Sequence, residues 1–203
     1  DNVRGVYEFG RRREVENEDL GFAVDLASRV RLEEDRYLLQ VLPQDFTIDG
    51  RAGFRNPCGN TVSRLEANVH IVTVSHQDHH ALVHAVQQAQ VAVEETVFEP
   101  LAAAYSAILP GEREHGVALV DIGAHSTGLA IYDGDALVLA SSVPIGGDHF
   151  TRDVAHCLPA SYDDARRLKE EFGCAILGLT SENVLIDVPS PDGRPPRAVP
   201  RRL

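Results

Sequence analysis

The apolar residues at the start of the chain change from strand spacing to helix spacing. Residues 3–9 alternate as a strand does, and the polar run R-R-R-E at 11–14 predicts a turn or the end of that strand. From Glu16 to Val30 the apolar residues recur every three or four positions, with acids in the first turn. That spacing predicts an amphipathic helix.

Three further segments predict the rest of a small subdomain. Residues 37–42 predict a strand that Pro43 breaks, and the Asp-Gly pair at 49–50 predicts a turn. Residues 53–60 predict a loop, and the alternation of apolar and polar residues over 65–74 predicts a strand. The order strand, helix, strand, strand favours a small α/β subdomain.

The middle of the chain predicts two helices. Ser75 and Asp78 fit the start of the first helix, although a capping box prefers Glu or Gln at the second position. Residues 96–98 predict a short strand, and the second helix begins through Pro100. The apolar face of the first helix is predicted to be its buried side and carries Leu82, Val83, Val86 and Ala89.

The second half of the chain predicts a hairpin followed by two helices. The segment 110–116 is typical of a linker and predicts a domain boundary. Two strands surround the segment D-I-G-A-H-S-T, the D-G-D turn at 133–135 closes a hairpin, and a third strand reaches Val143. The elements predicted after it are helices at 150–158 and 161–172 and a loop from Pro189 onward.

Charge changes the range of partners. The chain has 203 residues, a net charge of −12 and 43% hydrophobic residues, which fits a globular protein that repels nucleic acid. One basic segment, from Gly193 to Leu203, contains no acid. A solvated end is the favoured interpretation of that segment and a binding arm is the alternative. Its cations are Arg194, Arg197, Arg201 and Arg202.

The cysteines bear on the redox compartment of the protein, and the first residue bears on whether the chain is a fragment. Cys58, Cys157 and Cys174 are odd in number and far apart, which favours free thiols in a reducing cytoplasm. No apolar run approaches the length of a membrane span. The chain starts at Asp1 and contains no Met, so we expect an excised fragment of a longer protein.

The segment after the first hairpin strand has the parts of a phosphate site. Asp121 ends an apolar run and can orient a hydrated magnesium ion, while small residues leave backbone N–H groups exposed to an anion. Ser126 and Thr127 add hydroxyl donors. Many hairpins carry similar residues, so the spacing alone leaves a plain tight turn open as the alternative.

Several colinear motifs carry a resemblance to a known family. D-I-G-A-H-S-T-G-L-A-I-Y resembles the second phosphate loop of the actin-like ATPases, and V-F-E-P-L-A-A-A-Y resembles the segment before it. The remaining motifs are similar to bacterial cell-division protein FtsA, and the resemblance covers nearly the whole chain. They are V-L-P-Q-D-F-T-I-D-G, N-P-C-G, L-E-A-N-V-H-I-V-T, V-P-I-G-G-D-H-F-T-R-D-V-A and V-P-S-P-D-G-R-P-P-R.

The resemblance implies an α/β fold: part of an actin-like (ribonuclease-H-like) lobe with a small inserted strand–helix–strand–strand subdomain. Residues 1–92 would form this FtsA-specific subdomain, called 1C. Residues 93–110 would belong to the first actin lobe, and residues 115–203 would begin the second lobe, 2A, with its phosphate-2 loop.

The resemblance also implies a function and partners. The parent would bind ATP and magnesium, polymerise at the inner face of the cell membrane as a peripheral protein, tether FtsZ filaments through a region outside this chain, and recruit late division proteins such as FtsN through subdomain 1C. It would be at most a weak ATPase. Asp121 would orient magnesium through water, Lys169 would lie beside the adenosine, and phosphate would contact the backbone of Gly123, Ala124, His125, Ser126 and Thr127.

This sequence departs from the family pattern at two places. The family's loop is usually D-I-G-G-G-T with a later Asp, whereas this chain has Ala124, His125 and Gly128 at those positions. Side chains there are expected to restrict φ and to crowd a phosphate. In the adenosine motif Lys169 is retained, but Arg166 replaces a Glu. A guanidinium has no acceptor for a ribose hydroxyl, so we expect weakened or altered nucleotide use.

Three alternative functions stay open at this point. PilM, an actin-like adaptor of type IV pilus assembly, also has D-I-G-A at its loop. A sugar or acyl kinase of the same superfamily would need a catalytic base that this chain does not display. A metal site is the third alternative, because His76, His80 and His84 lie one above another on a helix, although a solvated helix face explains them as well.

Overall fold

The computed structural model of the protein describes residues 1–181, 183–190 and 194–202. The chain divides into two compact units. Unit 1 comprises residues 1–120 and 129–141, and unit 2 comprises residues 121–128 and 142–203. The predicted boundary at 110–116, with the ranges 1–92, 93–110 and 115–203, stays a prediction.

Unit 1 contains a four-stranded antiparallel sheet and a helix that packs on it. The strand order is β1-β4-β2-β3, so the longest strand, β4, lies inside the sheet. The alternation at 65–74 therefore predicted a true strand, and the structure extends it at both ends. The elements are β1 Asn2–Glu14, α1 Asn17–Ser28, β2 Arg36–Ile48, β3 Arg51–Phe54 and β4 Thr61–Ser75.

Helix α1 lies against the sheet because one strand position has no side chain. A Cβ atom added at Gly5 of β1 would lie 2.2 Å from the carbonyl oxygen of Ala23 and 2.4 Å from the amide nitrogen of Ala27. Both alanines are fully buried, and they lie over a core that includes Leu65 and Val69 of β4. Small residues on both sides thus allow close backbone contact between helix and sheet.

An ion pair with a buried carboxylate holds the start of α1. Both guanidinium Nη atoms of Arg13 donate to the carboxylate of Asp19, which is 6% exposed. Asp19 also accepts a hydrogen bond from the Glu16 amide at 2.9 Å. The Arg13 hydrogen bond, helped by the Glu16 amide, holds the pKa of Asp19 below its usual range in spite of burial.

The sheet decides one strand prediction and corrects another. β4 pairs with β1 as far as Glu14, after an irregularity that follows Glu8, so R-R-R-E is the end of the strand and the alternative of a turn is wrong. β2 likewise continues through Pro43, which pairs with Val69. The register shifts next to Pro43, and β3 pairs only with the far end of β2. A proline is tolerated where the strand is irregular and its edge is not paired.

The helix after β4 differs from its prediction in burial. α2 spans His76–Gln88 and starts where predicted, since the Ser75 hydroxyl accepts from the Asp78 amide at 3.2 Å. No residue of α2 is buried, and Leu82 is 65% exposed. The predicted buried face is therefore wrong for α2, in which Val83 is half-buried and Leu82 and Val86 are exposed.

A second core of unit 1 forms around the hairpin. Tyr132 is almost fully buried, and its hydroxyl donates to the carbonyl of Pro100 at 3.1 Å. The predicted strand at 96–98 is absent from the described residues, whereas the helix that begins through Pro100 is confirmed. The elements are α3 Glu99–Ala107, α4 Pro110–Glu114, and the sheet β5 Val117–Ile122, β6 Thr127–Asp133 and β7 Ala136–Val143.

Unit 2 packs two helices against a short two-stranded sheet. Its core includes Leu168, Ile186 and Val188. The predicted loop from Pro189 onward is corrected, because residues 197–200 form a strand that pairs with 185–188. Its elements are α5 Gly147–Cys157, α6 Tyr162–Phe172, a short 3-10 helix Leu177–Leu179, β8 Leu185–Val188 and β9 Arg197–Pro200.

Two arginines of the basic end bond to backbone carbonyls elsewhere in unit 2. Arg197 donates to the carbonyl of Leu158, and Arg201 donates to the carbonyl of Phe172 at 2.8 Å. Arg197 stays exposed, as a solvated end predicts, whereas Arg201 is half-buried, so that prediction is wrong for Arg201. Gly193 and Leu203 lie outside the described residues. Among the residues that the structure describes, no helix is long and apolar enough to cross a membrane.

Candidate phosphate-binding loop

The predicted phosphate residues form one tight turn in unit 2. β5 runs to Ile122, and the Gly123 amide donates to the Ser126 carbonyl at 2.9 Å, which closes the turn before Thr127 begins β6. Residues 122–126 are exposed, and Asp121 is half-buried at the strand end. The turn therefore presents its backbone to solvent next to one carboxylate, as a phosphate loop must.

The turn is tied to the start of α5 by two backbone hydrogen bonds. The Gly147 amide donates to the Gly123 carbonyl at 2.9 Å, and the Asp148 amide donates to the Ala124 carbonyl at 2.8 Å. These two amides belong to the first turn of α5, where N–H groups have no partner within the helix. The loop carbonyls thus point at the helix, away from the side where an anion would approach.

Two further contacts hold the same junction. The Thr127 hydroxyl donates to the Ile145 carbonyl at 2.7 Å. Gly146 is buried, and a Cβ atom added there would lie 2.5 Å from the Gly123 carbonyl oxygen and 2.6 Å from that of Ala124. Only glycine fits at this position without moving the loop. The sequence interpretation ended the third strand at Val143 and gave no role to the glycines that follow.

The two departures in the loop do not strain its backbone. Positive φ angles among the described non-glycine residues occur only at Asp49 and Gln90, so Ala124 and His125 have conformations that any L-residue adopts. This turn therefore forms without a φ angle that needs glycine at either position. Their effect on an approaching phosphate stays a prediction.

His125 is paired with the first turn of α5. Its Nδ1 atom lies 2.9 Å from Oδ2 of Asp148, while the His125 side chain remains 79% exposed. Hydrogen bonding with Tyr162 holds the pKa of Asp148 below its usual range, and the charges of His125, Arg152 and Lys169 act in the same direction. The same hydrogen bond raises the pKa of Tyr162. Sequence reasoning missed Tyr162, and no motif signalled it.

Lys169 reaches the junction from α6. Its Nζ atom donates to the carbonyl of Gly147 at 2.9 Å, and the residue is half-buried. The lysine therefore lies next to the loop that carries the other predicted site residues. Arg166, at the position of the family's Glu, is bonded to Glu170 at 3.0 Å on the helix surface. The predicted contact of Lys169 with adenosine stays a prediction.

Position 128, where the family's loop has an Asp, lies next to Asp121. A Cβ atom added at Gly128 would lie 3.9 Å from the Cβ atom of Asp121. An Asp at position 128 would thus have placed a second acid next to the first. This chain keeps a single carboxylate at the strand end, which lowers the negative charge available to a cation.

The histidines on α2 are arranged differently from the suggested metal site. The rings of His80 and His84 stack with centroids 6.0 Å apart, and the ring of His76 packs on Tyr37 at 4.7 Å. His79 contacts the edge of the same tyrosine at 5.3 Å. Over the described ranges, no group of three or more His, Cys, Asp or Glu residues could hold a metal ion.

Comparison with known proteins identifies two family models in sequence order. The model of the SHS2 domain inserted in FtsA matches residues 1–73, and the model of cell division protein FtsA matches residues 118–203. The cell division protein FtsA of Escherichia coli K12 is 35% identical over 93% of this chain. The chain belongs to the FtsA family.

Other FtsA proteins match over a similar length. The FtsA of Pseudomonas aeruginosa is 36% identical over 95% of this chain, and that of Bacillus subtilis is 30% identical over 87%. The chain spans 45% of the Escherichia coli protein, 46% of the Pseudomonas protein and 40% of the Bacillus protein. It therefore corresponds to less than half the length of these FtsA relatives.

A solved structure supports the fold. The PilM-PilN type IV pilus biogenesis complex matches with a TM-score of 0.53 and 17% identity, covering 84% of this chain and 48% of that one. This level of identity carries the fold alone. The predicted α/β, actin-like fold is confirmed. Between FtsA and the alternative, PilM, the family models favour FtsA.

Proposed function

We propose that the protein acts in bacterial cell division as an ATP-binding, actin-like scaffold. It polymerises at the inner face of the cell membrane and tethers FtsZ filaments there. The proposal is supported by the order of the two FtsA family models along the chain. The FtsA relatives from Escherichia coli and Bacillus subtilis are named cell division proteins, and the more specific roles proposed here build on that name.

The phosphate loop is the observation that carries ATP binding. A closed turn from Gly123 to Ser126 presents backbone to solvent, and its carbonyls are bonded to α5 amides. With those carbonyls turned away, the amides of the turn are the donors that remain for an anion. An open, unsupported hairpin turn would not hold such donors in one direction.

The residues of the loop have distinct proposed roles. Asp121 orients magnesium through water, because it is the half-buried carboxylate at the strand end. Gly123 closes the turn through its own amide, and the backbone amides from Ala124 to Thr127 bind the nucleotide phosphates. Lys169 lies beside the adenosine, held by its bond to the Gly147 carbonyl. The single acid at the loop favours slow ATP hydrolysis over rapid turnover.

The partners follow from the same assignment. We propose that the parent protein self-associates and contacts FtsZ through a region outside this chain. Subdomain 1C, residues 1–92, provides a polymer contact and a surface for late division proteins such as FtsN. We propose that the protein lies in the cytoplasm and is peripheral to the membrane. Residues 1–73 match the family's own inserted domain, which supports a family-specific role for this region.

The decisive experiment is calorimetry of magnesium-ATP binding to the full-length protein. We expect binding by the wild-type protein and a loss of at least about tenfold in affinity for Asp121→Ala, because the metal loses its anchoring carboxylate. Asp133→Ala is the matched control. Asp133 is exposed at the other end of β6, so its removal should leave affinity unchanged.

Two results would overturn this proposal. A folded wild-type protein that shows no heat of binding would make the loop a remnant of the actin architecture without nucleotide. Equal affinity for wild type, Asp121→Ala and Asp133→Ala would remove Asp121 from the site. Thermal unfolding of each variant provides the check that the proteins compared are folded.

A further inference from the structure

Two side-chain amides of the four-stranded sheet hold the edge strand β7. The Nε2 atom of Gln44 in β2 donates to the Leu137 carbonyl at 2.6 Å, and the Nδ2 atom of Asn2 in β1 donates to the Val138 carbonyl at 3.1 Å. β7 lies at the edge of the three-stranded sheet, and an edge strand has backbone groups without a neighbouring strand. The two amides therefore tie a strand of the hairpin to a different sheet.

A buried histidine completes this contact. The Nδ1 atom of His70 in β4 lies 2.6 Å from Oδ1 of Asn2, and Gln44 donates to the same oxygen at 3.3 Å. Since an amide oxygen only accepts hydrogen bonds, the His70 proton lies on Nδ1. His70 is 6% exposed and pairs with Asn2 across the sheet. We call Asn2, Gln44 and His70 the polar clamp, and a satisfied network of this kind favours one arrangement of the strands that it joins.

Two further contacts lie near the polar clamp. Leu42 of β2 packs on the hairpin core that contains Tyr132 and Leu137. The guanidinium of Arg55 lies over the hairpin turn, since a Cβ atom added at Gly134 would be 2.1 Å from its Nη2 atom. The subdomain that contains the four-stranded sheet thus contacts the hairpin at its edge strand, at its core and at its turn.

The clamped hairpin leads directly to the phosphate loop. β7 lies next to β6, and β6 begins at Thr127, the last residue of the loop. β7 ends at Val143, shortly before Ile145, whose carbonyl accepts from the Thr127 hydroxyl at 2.7 Å. Both strands of the hairpin therefore end at the junction that holds the loop, and a displacement of β7 would be transmitted to it.

We infer that Gln44 is a positioning residue for the phosphate loop, and that the polar clamp couples magnesium-nucleotide binding to the four-stranded sheet. The inference rests on the nucleotide site proposed above. Gln44 acts through β7, which it holds in the position that supports the loop. Coupling of this kind is reciprocal, so a partner that displaces β2 would also change nucleotide affinity.

The test is calorimetry and hydrogen–deuterium exchange on the full-length protein, with magnesium-ATP as the probe. In the wild type, saturating magnesium-ATP should slow exchange at residues 121–128 and also at residues 36–45 of β2, because an ordered loop steadies β7 and the strand clamped to it. In Gln44→Met, which keeps the side-chain length but has no donor, the loop should still be protected and the protection of β2 should be lost. Affinity should fall about fivefold, the size of one neutral hydrogen bond that is coupled to binding.

Gln40→Met is the matched control on the same strand. The Oε1 atom of Gln40 accepts from the Phe98 amide at 2.9 Å, so the same substitution removes a bond that does not involve β7. This variant should keep wild-type affinity and wild-type protection of β2. Thermal unfolding shows whether each variant is folded.

A second variant tests the polar clamp from the other strand. Asn2 is exposed, so Asn2→Ala should fold even if Gln44→Met does not. It should weaken affinity and remove the protection of β2 as Gln44→Met does. The double variant should bind about as well as either single variant, because both residues serve one contact.

The outcomes separate this inference from the proposed function. Magnesium-ATP that protects the loop but not β2 in the wild type would overturn the coupling and leave nucleotide binding intact. Equal affinity in wild type, Gln44→Met and Asn2→Ala would remove the positioning role, and equal losses in Gln44→Met and Gln40→Met would make the effect a general consequence of altering β2. No heat of binding and no protection in the folded wild type would overturn the nucleotide site itself and this inference with it.

Discussion

Gly146 shows how one missing side chain can determine the position of a binding loop. Its Cα lies so close to the turn that an added Cβ would approach two carbonyl oxygens of Gly123 and Ala124 to about 2.5 Å. Those same carbonyls accept hydrogen bonds from the first amides of α5. Loop and helix are therefore joined through backbone atoms, and side-chain identity within the turn matters less to its shape.

We predict that Gly146→Ala destabilises this junction by about 1–3 kcal/mol, the typical cost of forcing extra volume into a packed site. Hydrogen–deuterium exchange at residues 121–128 should become faster, because the loop must move away from α5. Gly147→Ala is the matched control, since the nearest atom to its Cβ is Lys169 Nζ at 3.5 Å, an ordinary contact. Equal exchange in both variants would contradict the role given to Gly146.

Helix α1 depends on the interaction of a single buried acid. Asp19 serves at once as the partner of Arg13 and as the acceptor of the Glu16 amide at the helix start. Its lowered pKa means that the folded state favours the ionised form. Its contribution to stability is complete above the unfolded pKa of about 3.9 and is lost as pH falls through the lower folded value.

We predict that Asp19→Asn lowers the free energy of unfolding by about 2 kcal/mol at neutral pH, as expected for a buried hydrogen bond to a charged group. The difference from wild type should shrink below about pH 4, where wild-type Asp19 also becomes protonated. Urea unfolding followed by circular dichroism measures both values. Asp25→Asn, at an exposed position of the same helix, is the control and should change stability little. A difference from wild type that persists in acid would argue against the ionised pair.

Most elements could be predicted from spacing, whereas continuity and burial could not. Helix α1 and strand β4 have clear periodicity and appear as predicted. The prediction of a strand break at Pro43 failed because the partner strand β4 continues past that residue. The sequence around Pro43 cannot show which strand pairs with it. The apolar face of α2 failed for a related reason: periodicity identifies a face but not whether another element covers it.

The residue types of the site could be predicted from the sequence, but the contacts that hold the loop in place could not. Asp121 and the turn after it stood out by chemistry, and the structure brings the predicted turn residues together. The pairing of His125 with Asp148 joins residues from separate segments, and no spacing rule predicts it. Whether position 124 needs a φ angle that favours glycine depends on the turn that forms, which the sequence alone left open.

The charge of the molecule as a whole bears on which partners it can have. A net charge of −12 opposes association with a polyanion, and two arginines of the basic end donate to backbone carbonyls within unit 2. We therefore predict no shift of a short DNA duplex in a gel at physiological salt. Binding that weakens steeply as salt rises would contradict this prediction and would restore the tail as a binding arm.

The position of those two arginines also sets where the protein can be shortened. Arg197 donates to the carbonyl of Leu158, the residue that follows α5, and Arg201 donates to the carbonyl of Phe172, the last residue of α6. Cations at these places satisfy carbonyls that a helix end leaves open and complement its partial negative charge. A protease cut before Arg197 would therefore expose the ends of both helices at once and remove strand β9 from its partner. Any truncation that is meant to keep unit 2 folded must therefore retain residues 197–201.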